Sequence, residues 1–139
     1  MKRVVYVGIA LSAIVLGSLA ATAQVKKGKS RLLLTKQLMG GLVQLNCKAV
    51  GDGLKAEPKD DKAWAALATK AALLNESSYI LMADGRCPDG VWAAASTKLR
   101  EGSEAVYNRI QAKDRQGAQA AFKTMTESCG ACHKAHKKK

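Results

Sequence analysis

The sequence predicts an all-α protein, and more narrowly an antiparallel four-helix bundle. Apolar residues recur at steps of three and four through four stretches of the chain, which is the period of an amphipathic helix. No stretch shows the sustained alternation of apolar and polar residues that is typical of strands. The links between the four stretches are short, and short links favour antiparallel neighbours.

The first helix is predicted to begin at Arg31. Its apolar stripe repeats at steps of four, four and three residues: Leu34, Leu38, Leu42 and Leu45. Gly40 and Gly41 weaken this helix by about 1 kcal/mol each relative to alanine. Paired glycines at mid-helix suggest that a large flat group approaches the backbone there. The run Gly51-Asp52-Gly53 predicts the end of the helix, because glycine adopts the left-handed C-cap conformation at little cost.

The other three helices follow at short intervals. The second is predicted to run from a cap at Asp60 or Asp61 to about Met82, and the third covers about 91–113. A turn separates them, marked by Gly85, Pro88 and Gly90. The fourth helix follows Asp114 and carries on one face Ala118, Phe122, Met125, Cys129 and Cys132.

The first 23 residues differ in character from the rest of the 139-residue chain. Lys2 and Arg3 precede a nearly continuous apolar run over 4–19, and a small-residue cleavage site follows, which predicts a secretory signal peptide over 1–23. The run is shorter than the ~20 residues that span a bilayer, so a retained anchor is the weaker interpretation. We therefore expect 24–139 to form one domain, periplasmic or otherwise exported, with no stable membrane insertion after cleavage.

Near the C-terminus the sequence reads Cys129-Gly130-Ala131-Cys132-His133. Cys-x-x-Cys-His is the attachment signature of a c-type haem, in which the thiols form thioethers and the histidine binds iron. At these spacings the three side chains project from one face of a helix. The motif predicts one haem c per chain, with Cys129 and Cys132 covalently attached and His133 as the proximal iron ligand.

Other uses of the motif remain open. A disulfide between Cys129 and Cys132 would make the chain a haem-free helical binding or thiol-exchange module. The thioredoxin setting of Cys-x-x-Cys requires strands, which the pattern lacks, and zinc requires a second pair of suitably spaced ligands. His136 is a second candidate iron ligand, but we expect it to be exposed.

With these features on four helices, the region from about Arg31 to Lys137 resembles the cytochrome c-prime family, the class II cytochromes c, including c556-like members. The late position of the motif carries the resemblance, because class I cytochromes c have it near the N-terminus. The resemblance implies a four-helix bundle with haem attached near the C-terminus of the last helix, and a homodimer formed through the first two helices. Family members often have an aromatic residue and an arginine where this chain has His136 and Lys137.

The resemblance also implies that the first helix covers the opposite face of the haem. In the family an arginine on this helix meets a haem propionate, and the distal residue follows one turn later. Arg31 fits the arginine position, which places Thr35 over the iron in an open pocket. A register shifted by one turn places Met39 there as a sixth ligand. The Thr35 register is preferred, and Met125 is expected to line the haem pocket as packing rather than as a ligand.

Cys47 and Cys87 lie outside the motif. Exported proteins rarely leave thiols unpaired, so we expect a disulfide between them, joining the first helix to the turn after the second. The alternative is two buried, inert thiols.

The function that the resemblance implies is single-electron transfer, binding of nitric oxide or carbon monoxide at the haem iron, or both. A peroxidase or nitric oxide reductase is disfavoured, because no histidine precedes His133 to act as a distal acid or base.

The formal net charge of +12 bears on the partners of the chain. The charge is concentrated at the two ends of the exported domain, in Lys26, Lys27, Lys29 and Arg31 and in Lys134, Lys137, Lys138 and Lys139. Few aromatic residues and no recognisable binding motif argue against nucleic acid. The lysines are either solvated tails or a docking surface for acidic redox partner proteins, whose encounter rate they would raise.

Overall fold

The computed structural model describes residues 28–137, and this part of the chain is helical, with four helices and no strand. Helix α1 runs continuously through three segments, Thr35–Leu38, the π-helical Met39–Gln44, and Leu45–Ala56. Helix α2 is Asp61–Met82 and α3 is Gly90–Gln111. Helix α4 consists of Arg115–Glu127 and, after Ser128, Cys129–His136. The prediction of an all-α protein with four helices is confirmed for these residues.

The predicted signal peptide over 1–23 lies outside the described residues. None of the helices within 28–137 has the length and hydropathy needed to cross a bilayer.

Aspartate caps fix the starts of the last three helices. The carboxylate of Asp60 accepts a hydrogen bond from the backbone nitrogen of Ala63 at 2.7 Å. Asp89 accepts one from Trp92 at 2.9 Å, and Asp114 accepts one from Gly117 at 2.8 Å. Each cap satisfies an otherwise unpaired helical donor and contributes about 1 kcal/mol. The sequence prediction for the start of α2 is therefore confirmed.

One core is shared by the four helices. Its most deeply buried apolar side chains come from every helix: Leu38, Val50, Leu54, Ala71, Leu74, Val106, Ile110, Ala118 and Met125. Polar contacts join α2 to α3 at both ends and in the middle. The indole of Trp92 donates to the carbonyl of Leu81 at 2.8 Å, and the amide of Asn75 donates to the carbonyl of Arg100 at 2.9 Å. The ammonium of Lys113 lies 2.7 Å from the carboxylate of Asp61.

Helix α1 ends later than the sequence predicts. It continues through Gly51 and Gly53 to Ala56 and stops at Glu57, whose φ is +61°. The glycines serve packing, because a Cβ at Gly51 would lie 3.2 Å from the ring of Phe122. A Cβ at Gly53 would lie 2.6 Å from Leu67. Small residues thus let α1 approach both α4 and α2 closely.

Helix α1 also begins later than predicted, at Thr35 and not at Arg31. Residues 28–34, which we call the N-terminal strap, are non-helical and cross the turn that follows α2. The backbone nitrogens of Ser30 and Arg31 each donate to the carboxylate of Asp84 at 3.0 Å. The buried guanidinium of Arg86 donates to the carbonyl of Leu33 at 2.8 Å. These bonds compete with helix formation, so Arg31 is not on the same helix as Thr35.

The π-helical segment changes which residues of α1 face the core. Leu38 and Leu54 are 2% and 1% exposed. In an uninterrupted α-helix these two positions would point about 160° apart, and one of them would face solvent. A π-helix has more residues per turn, so Met39–Gln44 rotates the first turn of α1 relative to the rest. Short π-helical segments occur frequently at functional sites.

We expect the N-terminal strap to be released at low pH. Partial burial raises the pKa of Asp84, but the hydrogen bonds from Arg31 and Ser30 and the nearby charge of Arg86 outweigh it, so this pKa lies below its ordinary value of 3.8. The folded state therefore favours the carboxylate, and its stabilising contribution is present at neutral pH and lost as the pH falls through the lowered pKa. Amide exchange protection at Ser30 and Arg31 should fall in that range.

The substitution Asp84→Asn should remove this protection at neutral pH as well, because an amide oxygen accepts these bonds more weakly than a carboxylate. Asp52→Asn is the control, since Asp52 pairs with Lys48 on the exposed side of α1. Unchanged protection in Asp84→Asn would contradict this account of the strap.

Candidate functional site

The Cys-x-x-Cys-His motif lies on a short helical segment of its own. Ser128 separates the two parts of α4, and its hydroxyl donates to the carbonyl of Met125 at 2.7 Å. The second part, Cys129–His136, begins at the first cysteine of the motif. Cys129, Cys132 and His133 therefore share one helix, as the sequence predicts.

The motif side chains remain accessible. Cys129 and Cys132 are partly buried, and Cys132 packs against the edge of the core. The thiol of Cys129 lies 4.0 Å from the carbonyl of Met125. His133 is exposed. Neither thiol is bonded to another sulfur, so both are free to react.

Burial holds both motif thiols in the protonated form. It raises the pKa of Cys132 to about 11, with further contributions from the carboxylate of Asp89 and from Cys129. Burial also raises the pKa of Cys129, against the opposing effect of hydrogen bonds from its own backbone and from Ser128. Both groups are neutral thiols at physiological pH, which slows their non-specific oxidation.

His136 is buried, at 8% exposed, and the expectation that it is exposed is wrong. Its ring packs edge-on against the indole of Trp92, with centroids 5.6 Å apart. Its Nε2 lies 3.3 Å from Oδ1 of Asp89, the residue that caps α3. These contacts fasten the motif segment to the start of α3. The sequence offered no signal for them, because they depend on how α4 continues after Ser128.

The predicted disulfide between Cys47 and Cys87 is not formed, and both thiols are free. The thiol of Cys87 donates to the carbonyl of Asp89 at 3.4 Å. Cys47 is half-buried on α1, and its pKa is raised mainly by burial and further by the nearby Cys129 thiol. Cys47 therefore has a motif cysteine as its neighbour. Sequence reasoning missed this because it depends on how α1 is aligned with α4.

The residues expected on the distal side are in different environments. Arg31 is exposed in the N-terminal strap, and Thr35 is enclosed in the protein at 1% exposed. Met39 is partly buried against the core at the start of the π-helical segment. Beside it, a Cβ at Gly40 or Gly41 would meet no atom within 4 Å. The structure thus leaves open space along α1 next to Met39, and does not do so at Thr35.

Met125 belongs to the core. It is 2% exposed, and a Cβ at Gly102 of α3 would lie 2.7 Å from its side chain. The side chain expected to line a haem pocket is thus enclosed in the core, and only the backbone carbonyl of Met125 contacts Cys129 and Ser128.

A groove of about 620 Å³ runs beside the N-terminal strap. It is lined mainly by aliphatic side chains, including Leu38, Leu42 and Ile80, together with Arg31 and Arg86. None of its lining residues belongs to the motif.

The residues of the site fit a covalently attached haem. Two unbonded thiols and an exposed imidazole on one helical segment are the donor set that this attachment requires. Space for a group close to the backbone exists at Gly130, where a Cβ would meet no atom within 4 Å. Among residues 28–137, no group of three or more His, Cys, Asp or Glu is placed to hold a bare metal ion. Comparison of the chain with protein-family models, curated proteins and solved structures found no match.

Proposed function

We propose that this protein is an exported c-type haem protein similar to cytochrome c-prime, with haem bonded to Cys129 and Cys132 and with His133 as the proximal iron ligand. The observation that carries the proposal is the set of two free thiols and an exposed imidazole on one helical segment of a four-helix protein. When bound, the haem supplies a one-electron redox centre whose iron can also take a diatomic ligand.

The same proposal includes an antiparallel bundle. The contacts between α2 and α3 support it, because Asp61, Asn75 and Leu81 meet residues of falling number, Lys113, Arg100 and Trp92. Helices α1 and α4 show the same trend. The carbonyl of Leu54 accepts from Gln119 at 3.0 Å, the Cα of Gly51 faces Phe122, and Cys47 lies near Cys129.

Met39 is the better candidate for the distal residue. Two turns before Cys47, α1 reaches the beginning of the π-helical segment. Because Cys47 lies near Cys129, this point is opposite the motif segment in an antiparallel alignment of α1 with α4. Thr35 is already enclosed by protein, and Arg31 lies in the strap and not one turn before it. We therefore propose that the Met39 thioether and His133 would together hold the iron in a closed site, which would favour electron transfer over gas binding.

Other residues of the chain support this role. Asp89 and Trp92 hold His136 and thereby orient the helix that carries His133. The exposed Lys134 and Lys137 give the same end of the molecule a positive charge. That charge would steer acidic redox partners toward the haem edge, an effect that weakens as salt is added.

The proposal is tested by expressing the full chain together with a c-type cytochrome maturation system. Covalent haem should survive denaturation, give the alkaline pyridine spectrum of a haem with two thioether bonds, and add the mass of one haem to the chain. Cys87→Ser is the control and should retain the haem. A colourless product whose cysteines are free or joined in a Cys129–Cys132 disulfide would contradict the proposal and favour the haem-free thiol-exchange module.

We expect Met39→Leu to open the site to carbon monoxide. Leucine has a similar volume but no sulfur, so packing is kept while the sixth ligand is lost. The absorption spectrum of the ferrous wild-type protein should change little on addition of carbon monoxide, and that of Met39→Leu should shift at once. Met82→Leu, at the end of α2, should behave as wild type. An immediate shift in the wild-type protein would show an open site and favour gas binding.

A further inference from the structure

Cys47 is outside the haem attachment motif but lies beside it. Helices α1 and α4 come close where Gly51 faces the ring of Phe122, at 3.2 Å from the position of a Cβ. The same pair of helices is joined below this point by bonds to the carbonyl of Leu54, from Arg115 at 2.8 Å and from Gln119 at 3.0 Å. Cys47 precedes Gly51 by about one helical turn, and Cys129 follows Phe122 by about two turns. Because α1 and α4 run in opposite directions in the proposed bundle, these steps lead to the same side of the contact. The two thiols therefore lie on neighbouring helices, within two turns of this close contact and on the same side of it.

The surroundings of the thiols also favour this pair. Cys47 is half-buried on α1 and packs against the edge of the core. Cys129 is close enough to Cys47 to raise the pKa of the Cys47 thiol, in addition to the larger effect of burial. The thiol of Cys87 is instead directed at the carbonyl of Asp89. Among the four cysteines, Cys129 thus has two thiol neighbours, Cys132 on its own helix and Cys47 across the interface.

We propose that Cys47 and Cys129 form a disulfide in the haem-free chain, and that this bond withholds Cys129 from haem attachment. The bond itself is inferred from the alignment of α1 with α4, whereas its effect on haem attachment rests on the function proposed above. Cys47 would then be a redox-controlled regulator of maturation, with Cys132 left as a free thiol.

The chemistry is thiol–disulfide exchange. The Cys47 and Cys129 thiols lose two protons and two electrons in forming the S–S bond, and a disulfide oxidant such as oxidised glutathione accepts them to give two thiols. A mixed disulfide between the oxidant and one cysteine is the intermediate, and the second cysteine displaces the oxidant's thiol. A dithiol reductant reverses the reaction and makes Cys129 available again.

Trypsin separates the relevant cysteines, which makes the bond directly measurable. Cys47 falls in the peptide 37–48, Cys87 in 87–98, and Cys129 in 124–134 together with Cys132. The full-length haem-free Cys132→Ser variant is treated with oxidised glutathione, alkylated and digested without reduction. It should lose two of its three thiols and give the cross-linked pair 37–48 with 124–134.

Each other outcome of this experiment overturns the proposal. A cross-link between 37–48 and 87–98 would restore the pairing first expected from the sequence, and recovery of 37–48 in alkylated form would show that Cys47 does not react. Circular dichroism before oxidation checks that the variant is helical. The wild-type chain, oxidised in the same way, provides a second measurement, and a mapped Cys47–Cys129 bond is again the expected result.

The regulatory effect is measured by haem incorporation into oxidised haem-free protein. Cys47→Ser should take up more haem than wild type after oxidation and the same amount after reduction, with Cys87→Ser as the control. Equal uptake by the oxidised wild type and Cys47→Ser would overturn the regulatory role. A failure of every variant to take up haem, even when reduced, would contradict the proposed function while leaving the result of the peptide mapping intact.

Discussion

Replacing both Cys129 and Cys132 by serine is expected to abolish covalent haem attachment. A thioether needs a sulfur nucleophile, and a serine hydroxyl cannot add to a haem vinyl group under the same conditions. The partly buried thiols are replaced by hydroxyls of similar size, so the four helices should still form. After expression with a maturation system, acid–acetone extraction and haem staining of a denaturing gel should find no haem bound to the variant chain.

Each single serine variant should retain one bond and give a shifted pyridine spectrum. Cys87→Ser removes a cysteine that is hydrogen-bonded to Asp89 and outside the motif, so it should stain as strongly as wild type. Full staining of the double variant would show that haem is held without Cys129 and Cys132 and would refute their assigned role.

A valine at Gly102 is expected to destabilise the fold strongly. Even a single Cβ there would lie 2.7 Å from two side-chain atoms of Met125 and 3.1 Å from its Cα. Backbone cannot move aside as a flexible side chain can, so α3 and α4 would have to separate. Overpacking of this kind costs about 3 kcal/mol. Urea unfolding of the haem-free protein, followed by circular dichroism, should show a midpoint well below that of wild type.

The same substitution on an open helix face is the control. A Cβ at Gly41 would meet no atom within 4 Å, so Gly41→Val should change the free energy of unfolding by less than about 0.5 kcal/mol. Equal midpoints for Gly102→Val and wild type would show that α3 and α4 are not in the close contact described.

The features predicted correctly from the sequence are those with local causes. The period of the apolar residues specifies a helix within a few turns, and the predicted cap at Asp60 acts on a donor three residues away. The placement of the motif on one helical segment is local in the same sense. Such signals need no knowledge of how the helices pack.

The features that were missed depend on contacts between distant parts of the chain. Asp84 binds the backbone of Ser30 and Arg31, from which it is separated in the sequence by helices α1 and α2. No local pattern could show that this contact delays the start of α1. In the sequence Gly51 resembles a helix C-cap. In the structure its lack of a side chain instead allows α1 to pack closely against the ring of Phe122. The neighbour of Cys47 likewise becomes known only when α1 and α4 are aligned.

The same dependence on packing applies to the distal side. Arg31 and Thr35 have the one-turn spacing that the family resemblance implies, but residues at this spacing share a helix face only if both lie on one helix. In the structure they do not, and the side chain beside open space is Met39. The placement of the five motif residues on one helical segment could thus be predicted from the sequence, and the surroundings of Arg31, Thr35 and Met39 could not.

The Met39–Gln44 segment makes the chain sensitive to length at one point. Deleting a single residue there would leave enough chain for a regular helix, but everything before the deletion would turn by about 100° about the helix axis. Leu38 would leave the core, the strap would lose its alignment with Asp84, and Met39 would no longer share a side of α1 with Cys47. The one extra residue of the π-helical segment thus sets the angle between the two ends of this helix, and with it the direction in which Met39 faces.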